Sequence, residues 1–548
     1  MKNLWKALLM VHRCRPSSCW LRVADVVLQS VLPLVNLYLL KMLIDEITVI
    51  VAAHGDFPLG TSDVYTFLWA MCAVFLANRV VSALNGVNND ILGQRLVDYV
   101  SDLMQRQSAR LDMQYYDNPS YHDTLHRAQQ EASFRPLQIL NNIMALGGSI
   151  ISIAGVVVML TEASWWVIVV MIVAVVPGFA VRLYKARRIY RFRRENTQLY
   201  RRTSYYGAIL TAREFAKELR TYNLANLIRG RFVEVRKKLV DRLLSISRRL
   251  GMLDVLCAAV EMVAMFAVVS LLIGQAYGGA ITIGSFVMLF EAFRRGQGYL
   301  SSLVVAISGL YDNRLFIGNL FEFLELEPAI KAPAEPLPVP DDIREVEFCN
   351  VSFRYPDMDR DVLSGFSLRA ERGEVVRIDG RNGFGKSTLV KLLLRLYDPQ
   401  QGSILLNGID IRRFDPAELR ASMGVLFQDF ARYFLSVEDN VGFGGAGEEA
   451  SVDRALALSG AAAFVDALPR GRKTQLGRMF DGGAELSMGQ WQRLALARAL
   501  DADAPVLVLD EPTAWLDIEA RQQLAETIRN LQSQKIVILI THSQSFDI

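Results

Sequence analysis

Cysteine and histidine are both scarce in this 548-residue chain, with five of each. Cys14, Cys19, Cys72, Cys257 and Cys349 are scattered and show no metal-ligand spacing. That excludes a zinc-type centre and a disulfide scaffold, and leaves reduced thiols. An excess of charge of one sign is also missing, since the formal net charge is +3. Such a balance gives no special attraction to nucleic acid, and no nucleic-acid partner is expected. A secretory signal peptide is not visible, because the first apolar run is too long and lacks a small-residue cleavage site. After residue 310, runs long enough to cross a bilayer stop almost completely.

Before residue 310 they are abundant. The chain is 52% hydrophobic with a mean hydropathy of +0.22, yet 21% of its residues are charged. Neither a soluble domain nor a purely membranous chain has that balance, so a membrane part is joined to a soluble part. Spans are expected near 20–42, 64–86, 137–160, 164–184, 252–275 and 281–305, each close to the ~20 apolar residues that a crossing needs. Pro33 and Asn36 predict a kinked first span with one polar face. Lys and Arg are absent from Met42 to Asn78, from 161–164 and from 274–284, whereas 182–249 holds 20 of them. With Lys2, Lys6, Arg13, Arg15 and Arg22 near the start, this alternation puts both ends in the cytoplasm. The long basic segment reads as helices continuing out of the membrane, with turns near Tyr115–Tyr121 and Arg213–Tyr222.

Five prolines between 328 and 340 predict a stiff, non-helical linker. The expected organisation is therefore a membrane domain over 1–327, a linker over 328–341 and a soluble domain over 342–548. In the last of these, short β-branched runs alternate with helical patterns, as in α/β folds.

There, "VVRIDGRNGFGKSTLVKLLLRLY" reads as strand, glycine-rich loop and helix. Gly380, Gly385, Lys386 and Ser387 fit the phosphate-binding loop pattern. Backbone amides of Gly380, Arg381, Asn382, Gly383, Phe384 and Gly385 would turn around phosphate oxygens, helped by the helix amino-terminus at Lys386–Thr388. Lys386 would neutralise phosphate, and the Ser387 hydroxyl would ligate Mg²⁺. Downstream, "PVLVLDEPTAWLD" opens as a strand buried on both faces and ends in Asp510 and Glu511. Asp510 would hold Mg²⁺ through water, and Glu511 would orient and polarise the attacking water.

With these motifs in place, the chain resembles the ATP-binding cassette (ABC) transporters. More narrowly it resembles exporters in which six spans precede one nucleotide-binding domain. The resemblance covers essentially the whole chain and implies a helical polytopic membrane domain followed by an α/β P-loop ATPase. It implies ATP and Mg²⁺ as ligands and further roles: Tyr355 stacks on adenine, Gln428 senses Mg²⁺ and γ-phosphate, His542 contacts γ-phosphate, and Asp517 belongs to the D-loop. It also implies that Ser487, Met488, Gly489 and Gln490, in "ELSMGQ", close on ATP held by another chain. The partner is a second copy or a paralogous half-transporter. Met488 stands where relatives usually carry glycine and Trp515 where a small residue is usual; only a mild cost is expected from Met488. The chain stops six residues after His542, whereas the family normally continues, so chemistry is expected to survive with a weakened domain edge. No peptidase domain is expected ahead of the spans.

Such a half-transporter belongs in a bacterial inner membrane with its nucleotide-binding domain in the cytoplasm. Arg79, Glu261, Glu291, Arg294 and Arg295 lie in or beside apolar runs. Arg79, Glu261 and the arginine pair fall roughly 20–24 Å deep at a helical rise per residue. They either line a polar cavity for a charged or zwitterionic solute, such as a modified peptide, or neutralise one another, as Glu291 and Arg295 would at i,i+4 spacing. The expected activity is ATP-driven export by a homodimer. A heterodimer and an ATP-gated channel or regulator are the alternatives; the intact Asp510–Glu511 pair and His542 speak against the second.

Overall fold

The computed structural model describes residues 2–52, 63–118, 125, 134–161, 165–356, 358–380, 385–445 and 448–541. The chain divides into two compact units. One comprises Met1–Ala109 with Thr124–Glu325, and the other Arg110–Asp123 with Leu326–Ile548.

The first unit is helical: α1 (Lys2–Cys14), α2 (Pro16–Ala52), α3 (Asp63–Arg110), α5 (Arg135–Leu160), α6 (Trp165–Glu195), α7 (Thr197–Thr211), α8 (Ala216–Thr221), α9 (Ala225–Tyr277) and α10 (Ile283–Leu324). Helix α4 (Met113–Asp117) falls in the second unit. Proline opens α2, where its missing N–H costs nothing, and Pro33 and Pro177 lie inside α2 and α6. Thr282 caps α10 by accepting from the Ser285 N–H at 3.0 Å, which satisfies one of the orphan donors of that terminus. Beside it, the Gly284 N–H donates to Asp45 at 2.9 Å, tying the start of α10 to α2. Among the described residues, α2, α3, α5, α9 and α10 are long and apolar enough to cross a membrane. Helix α6 covers the interval of the fourth expected span. With 48 residues, α3 is roughly 72 Å long at 1.5 Å per residue, far beyond the ~30 Å of a hydrocarbon core. The packed centre includes Leu37, Val156, Leu160, Leu272, Met288 and Phe293. Large side chains such as Trp69 and Phe266 remain exposed on the outer faces; in a bilayer such side chains meet lipid tails instead of water.

The second unit holds two four-stranded sheets. Strands β1 (Glu345–Phe353), β2 (Leu363–Glu371), β4 (Gln401–Leu406) and β5 (Ile409–Asp410) form an antiparallel sheet in the order β2-β1-β4-β5. Strands β3 (Val375–Asp379), β6 (Met423–Leu426), β7 (Val506–Asp510) and β8 (Ile536–Thr541) form a parallel sheet in the order β3-β8-β7-β6. All five residues of β7 are buried, because helices cover both faces of this sheet. Val508, Ile538 and Ile540 pack in one core with Leu389 and Leu393 of the helix Lys386–Leu393. Leu507, Leu509, Val537 and Leu539 pack in the other with Leu494 and Ala497 of the helix Met488–Asp501. The alternation of faces along each strand gives each core its own residues. Register aligns the carboxyl ends: Asp379 lies opposite Thr541, and Asp510 opposite Ile540. That edge carries the candidate site residues Gly380, Asp510 and Glu511.

Candidate nucleotide site

Strand β3 ends at Asp379 and leads through Gly380 toward the helix that starts at Lys386. The Lys386 ammonium donates to the Gly380 carbonyl at 2.6 Å, and the residue is only 8% exposed. Gly385 has φ +77°, and a Cβ there would come within 2.9 Å of the Leu363 side chain and 3.1 Å of the Val362 carbonyl. Both the left-handed backbone and the lack of room require glycine. Arg381, Asn382, Gly383, Phe384, His542 and Tyr121 lie outside the described residues.

A cavity of about 750 Å³ opens over this edge. Tyr355, Gly385, Lys386, Ser387, Thr388, Gln428, Asp510 and Glu511 line it, so the structure brings these expected residues to one place. The Tyr355 hydroxyl lies 3.1 Å from that of Thr388. Arg360 and Asp361 line the same cavity and were not anticipated; they sit in a polar stretch that no motif marks. Asp510 is 3% exposed. Burial pushes its carboxyl above the ordinary range; a hydrogen bond from Ser387 opposes the shift, and the neighbouring Glu511 reinforces it. A buried carboxylate, a hydroxyl and an amide carbonyl, from Asp510, Ser387 and Gln428, make an all-oxygen set that fits a small hard dication. Among the described residues no three His, Cys, Asp or Glu side chains are placed to hold a metal ion, so such an ion would need oxygens from its nucleotide.

Glu511 stands at φ +51°, a conformation uncommon outside glycine. Its N–H donates to the Ile540 carbonyl at 2.9 Å, which anchors it to β8. Its carbonyl accepts from the Gln492 amide at 3.1 Å, and the Gln492 oxygen accepts from the Trp515 N–H at 3.1 Å. Gln492, buried in the helix Met488–Asp501, thus clamps the loop after β7. It escaped sequence reasoning because a lone glutamine on a helix carries no signal of its own. Gln492→Ala is expected to cost about 1 kcal/mol, since it strands two part-buried backbone groups. It is also expected to slow hydrolysis by about tenfold as Glu511 loosens. Denaturant titration and steady-state ATPase check both effects; an unchanged rate would remove Gln492 from any positioning role.

Ser487 caps the helix Met488–Asp501 in a complete capping box: its hydroxyl accepts from the Gln490 N–H at 3.3 Å, and the Gln490 side chain accepts from the Ser487 N–H at 2.9 Å. Local capping thus engages Gln490 as well as Ser487, more than an isolated N-cap would. Gly489 is fixed by contact, because a Cβ there would lie 2.7 Å from the Trp515 carbonyl. Met488 is partly exposed, with its sulfur 3.8 Å from the Arg432 guanidinium. None of residues 487–490 lines the cavity around Lys386. Asp517 caps the next helix, Ile518–Gln532, by accepting from the Ala520 N–H at 2.8 Å.

Within this unit, Asp117 of α4 accepts from the Tyr397 hydroxyl at 2.6 Å and from Lys391 at 3.1 Å. Lys391 belongs to the same short helix as Lys386 and Ser387, and its ammonium lies 5.4 Å from the Tyr355 ring centroid. The turn expected near Tyr115 is therefore bonded directly to the helix of the phosphate loop.

The charges expected in or beside apolar runs do not form one cluster. Glu291 holds Arg294 through two bonds of 2.6 and 2.7 Å and Arg295 through one of 3.0 Å. Arg79 is exposed, 5.7 Å from the Phe75 ring centroid, and Glu261 packs against Gly178.

The ABC transporter family model matches residues 363–514, the stretch that runs from β2 past Glu511. The chain is an ABC transporter. Over 99% of its own length and 88% of the other's, it is 27% identical to the subtilin transport ATP-binding protein of Bacillus subtilis. The ATP-dependent lipid A-core flippase of Bordetella pertussis is 36% identical over 52% of this chain and 45% of that one. In fold, the transporter matches a bacterial Atm1-family ABC exporter with ATP bound, at a TM-score of 0.76 and 22% identity, over 96% of this chain and 91% of the other. It is therefore a multi-pass membrane protein with an ATP-binding domain.

Proposed function

We propose that this ABC transporter is one half of an ATP-driven exporter that works as two chains, with the signature of each completing the nucleotide site of the other. The observation that carries this reading is the helix start Ser487–Gln490, exposed at Ser487 and Met488 and absent from the lining of the chain's own nucleotide cavity. An anion-binding helix terminus that its own site does not use needs a nucleotide from elsewhere. Both termini and the ATPase domain face the cytoplasm of a bacterial cell in this reading. The cargo is a peptide or amphipathic solute, in line with the names of relatives that carry subtilin, nisin and lipid A-core.

Lys386 neutralises the terminal phosphates, and Tyr355 offers its ring to the base. Glu511 accepts hydrogen bonding from the attacking water and orients it. Ser387, Asp510 and Gln428 would hold Mg²⁺, which when bound neutralises charge on the phosphate oxygens. Mg-ATPase activity of the chain purified alone, with its particle mass recorded, tests the reading. Steady hydrolysis by a two-chain particle supports the homodimer. A folded, ATP-binding chain without hydrolysis overturns it in favour of a different partner chain.

The position of Asp510 adds a pH dependence. Its ionised form is the one that attracts a cation, and its acid form is favoured by burial, so protons compete with Mg²⁺ as pH falls. Affinity for Mg-ATP is expected to fall on acidification at a pH above the ~3.9 of an ordinary aspartate. Titration of Mg-ATP binding against Asp510→Asn, which lacks the group, isolates the effect; parallel curves would refute it.

A further inference from the structure

A polar cavity of about 610 Å³ lies among α2, α3, α5 and α10 in the first unit. Four amide side chains line it, Gln29, Asn85, Asn89 and Asn141, together with Arg22, Asp25 and five serines. Arg22 and Asp25 are each only 8% exposed. The Arg22 guanidinium donates to the Asn85 carbonyl oxygen at 2.5 Å and to that of Asn141. Among the described residues, neither its buried Nε–H nor the buried Asn89 carbonyl oxygen has a hydrogen-bond partner. Asp25 accepts from Gln29 at 2.8 Å. Arg22 is therefore a buried cation held by neutral amides instead of a carboxylate. A buried charge without a counter-charge in contact is costly, and so is an unmet buried donor or acceptor. These groups come from helices far apart in sequence and converge on one space, which argues for an occupant.

We infer that this cavity binds the carboxyl end of an exported peptide, with Arg22 taking the carboxylate and the amide side chains pairing with peptide groups. The inference rests on the exporter reading and names its cargo class. Asn85 and Asn141 take two of the five guanidinium N–H groups, and those that remain suit one carboxylate. Asp25 in the same wall disfavours a second anionic group and suits a solute of no net charge. The amide side chains of Gln29 and Asn89 in the cavity wall suit backbone N–H and C=O groups. The volume lies within the ~300–1,000 Å³ of small-molecule sites, so it takes the end of a peptide and not its whole length. A bis-phosphorylated lipid headgroup would bring two anions to one cation beside a carboxylate.

The experiment uses the full chain in nanodiscs without nucleotide and a radiolabelled serine–leucine hexapeptide, as the free acid and as its carboxyl-amide twin. The free acid is expected to bind about tenfold more tightly than the amide, the value of one charge-assisted bond. Arg22→Gln is expected to erase that ratio, and Arg22→Lys to keep part of it. Equal binding of acid and amide by the wild-type chain overturns the inference, even if Arg22→Gln does not fold. So does a bis-phosphorylated glucosamine disaccharide that displaces the acid more strongly than unlabelled peptide does. ATP hydrolysis measured without peptide reports on the exporter reading separately. Hydrolysis with no preference for the acid overturns only the peptide assignment, and a preference without hydrolysis overturns only the exporter reading.

Discussion

Glu511→Gln is expected to lower steady ATP hydrolysis by about 10²–10⁴-fold while leaving ATP binding in place. The substitution separates the carboxylate from everything else that Glu511 does. Its anchors are backbone bonds, to Ile540 and from Gln492, and glutamine keeps both. The left-handed φ of +51° is no harder for glutamine than for glutamate, so the loop keeps its shape. What is lost is the negative oxygen that can polarise water. Removing one carboxylate beside Asp510 also eases the crowding that pushes the Asp510 carboxyl upward, so Mg-ATP is expected to bind at least as well. Closed pairs of chains should then persist in ATP, because nothing resets them. Steady-state hydrolysis, nucleotide binding and particle mass on the same sample decide the matter. A variant that keeps more than about a tenth of the wild-type rate would move the water-orienting role away from Glu511.

The residues of the candidate nucleotide site are legible in the sequence because their motifs are local. Gly380 and Asp510–Glu511 each sit at a strand end, and the parallel register of β3, β8 and β7 brings those ends together. Hydropathy similarly located the apolar intervals now occupied by α2, α3, α5, α6, α9 and α10. Two kinds of feature were not legible. Gln492 acts through two hydrogen bonds to a loop some 20 residues on, and nothing in its neighbours announces them. The cavity at Arg22 assembles residues from four helices, and each polar residue taken singly reads as a tolerated irregularity in an apolar run. In the sequence alone Arg22 is one more basic residue near the amino-terminus, a sign of orientation. The more conspicuous charges, Glu291, Arg294 and Arg295, satisfy one another at i,i+3 and i,i+4. Spacing along one helix is readable, whereas convergence of several helices is not.

Ser487→Asp is the substitution that separates the signature's two duties. Aspartate caps a helix about as well as serine, so the bond from the Gln490 N–H should survive and stability should change by less than about 0.5 kcal/mol. Negative charge at that helix end even favours the isolated domain. Opposite a triphosphate the same charge is repulsive, so if the signature closes on ATP, hydrolysis is expected to fall by about 10²-fold. Neither outcome alone says whose ATP it meets. Lys386→Ala disables the phosphate grip, and mixing the two variants in one membrane decides between the arrangements. With the signature working across the pair, a mixed pair carries both lesions in one site and none in the other. About half of the random pairs are mixed and each keeps one site of two, so activity is expected to return to at most about a quarter of the wild-type rate. If each chain closed on its own nucleotide, every site in the mixture would carry one lesion and activity would stay at the floor. Recovery on mixing would thus give Ser487–Gln490 its place opposite a partner's nucleotide, and its absence would confine that turn to capping its own helix.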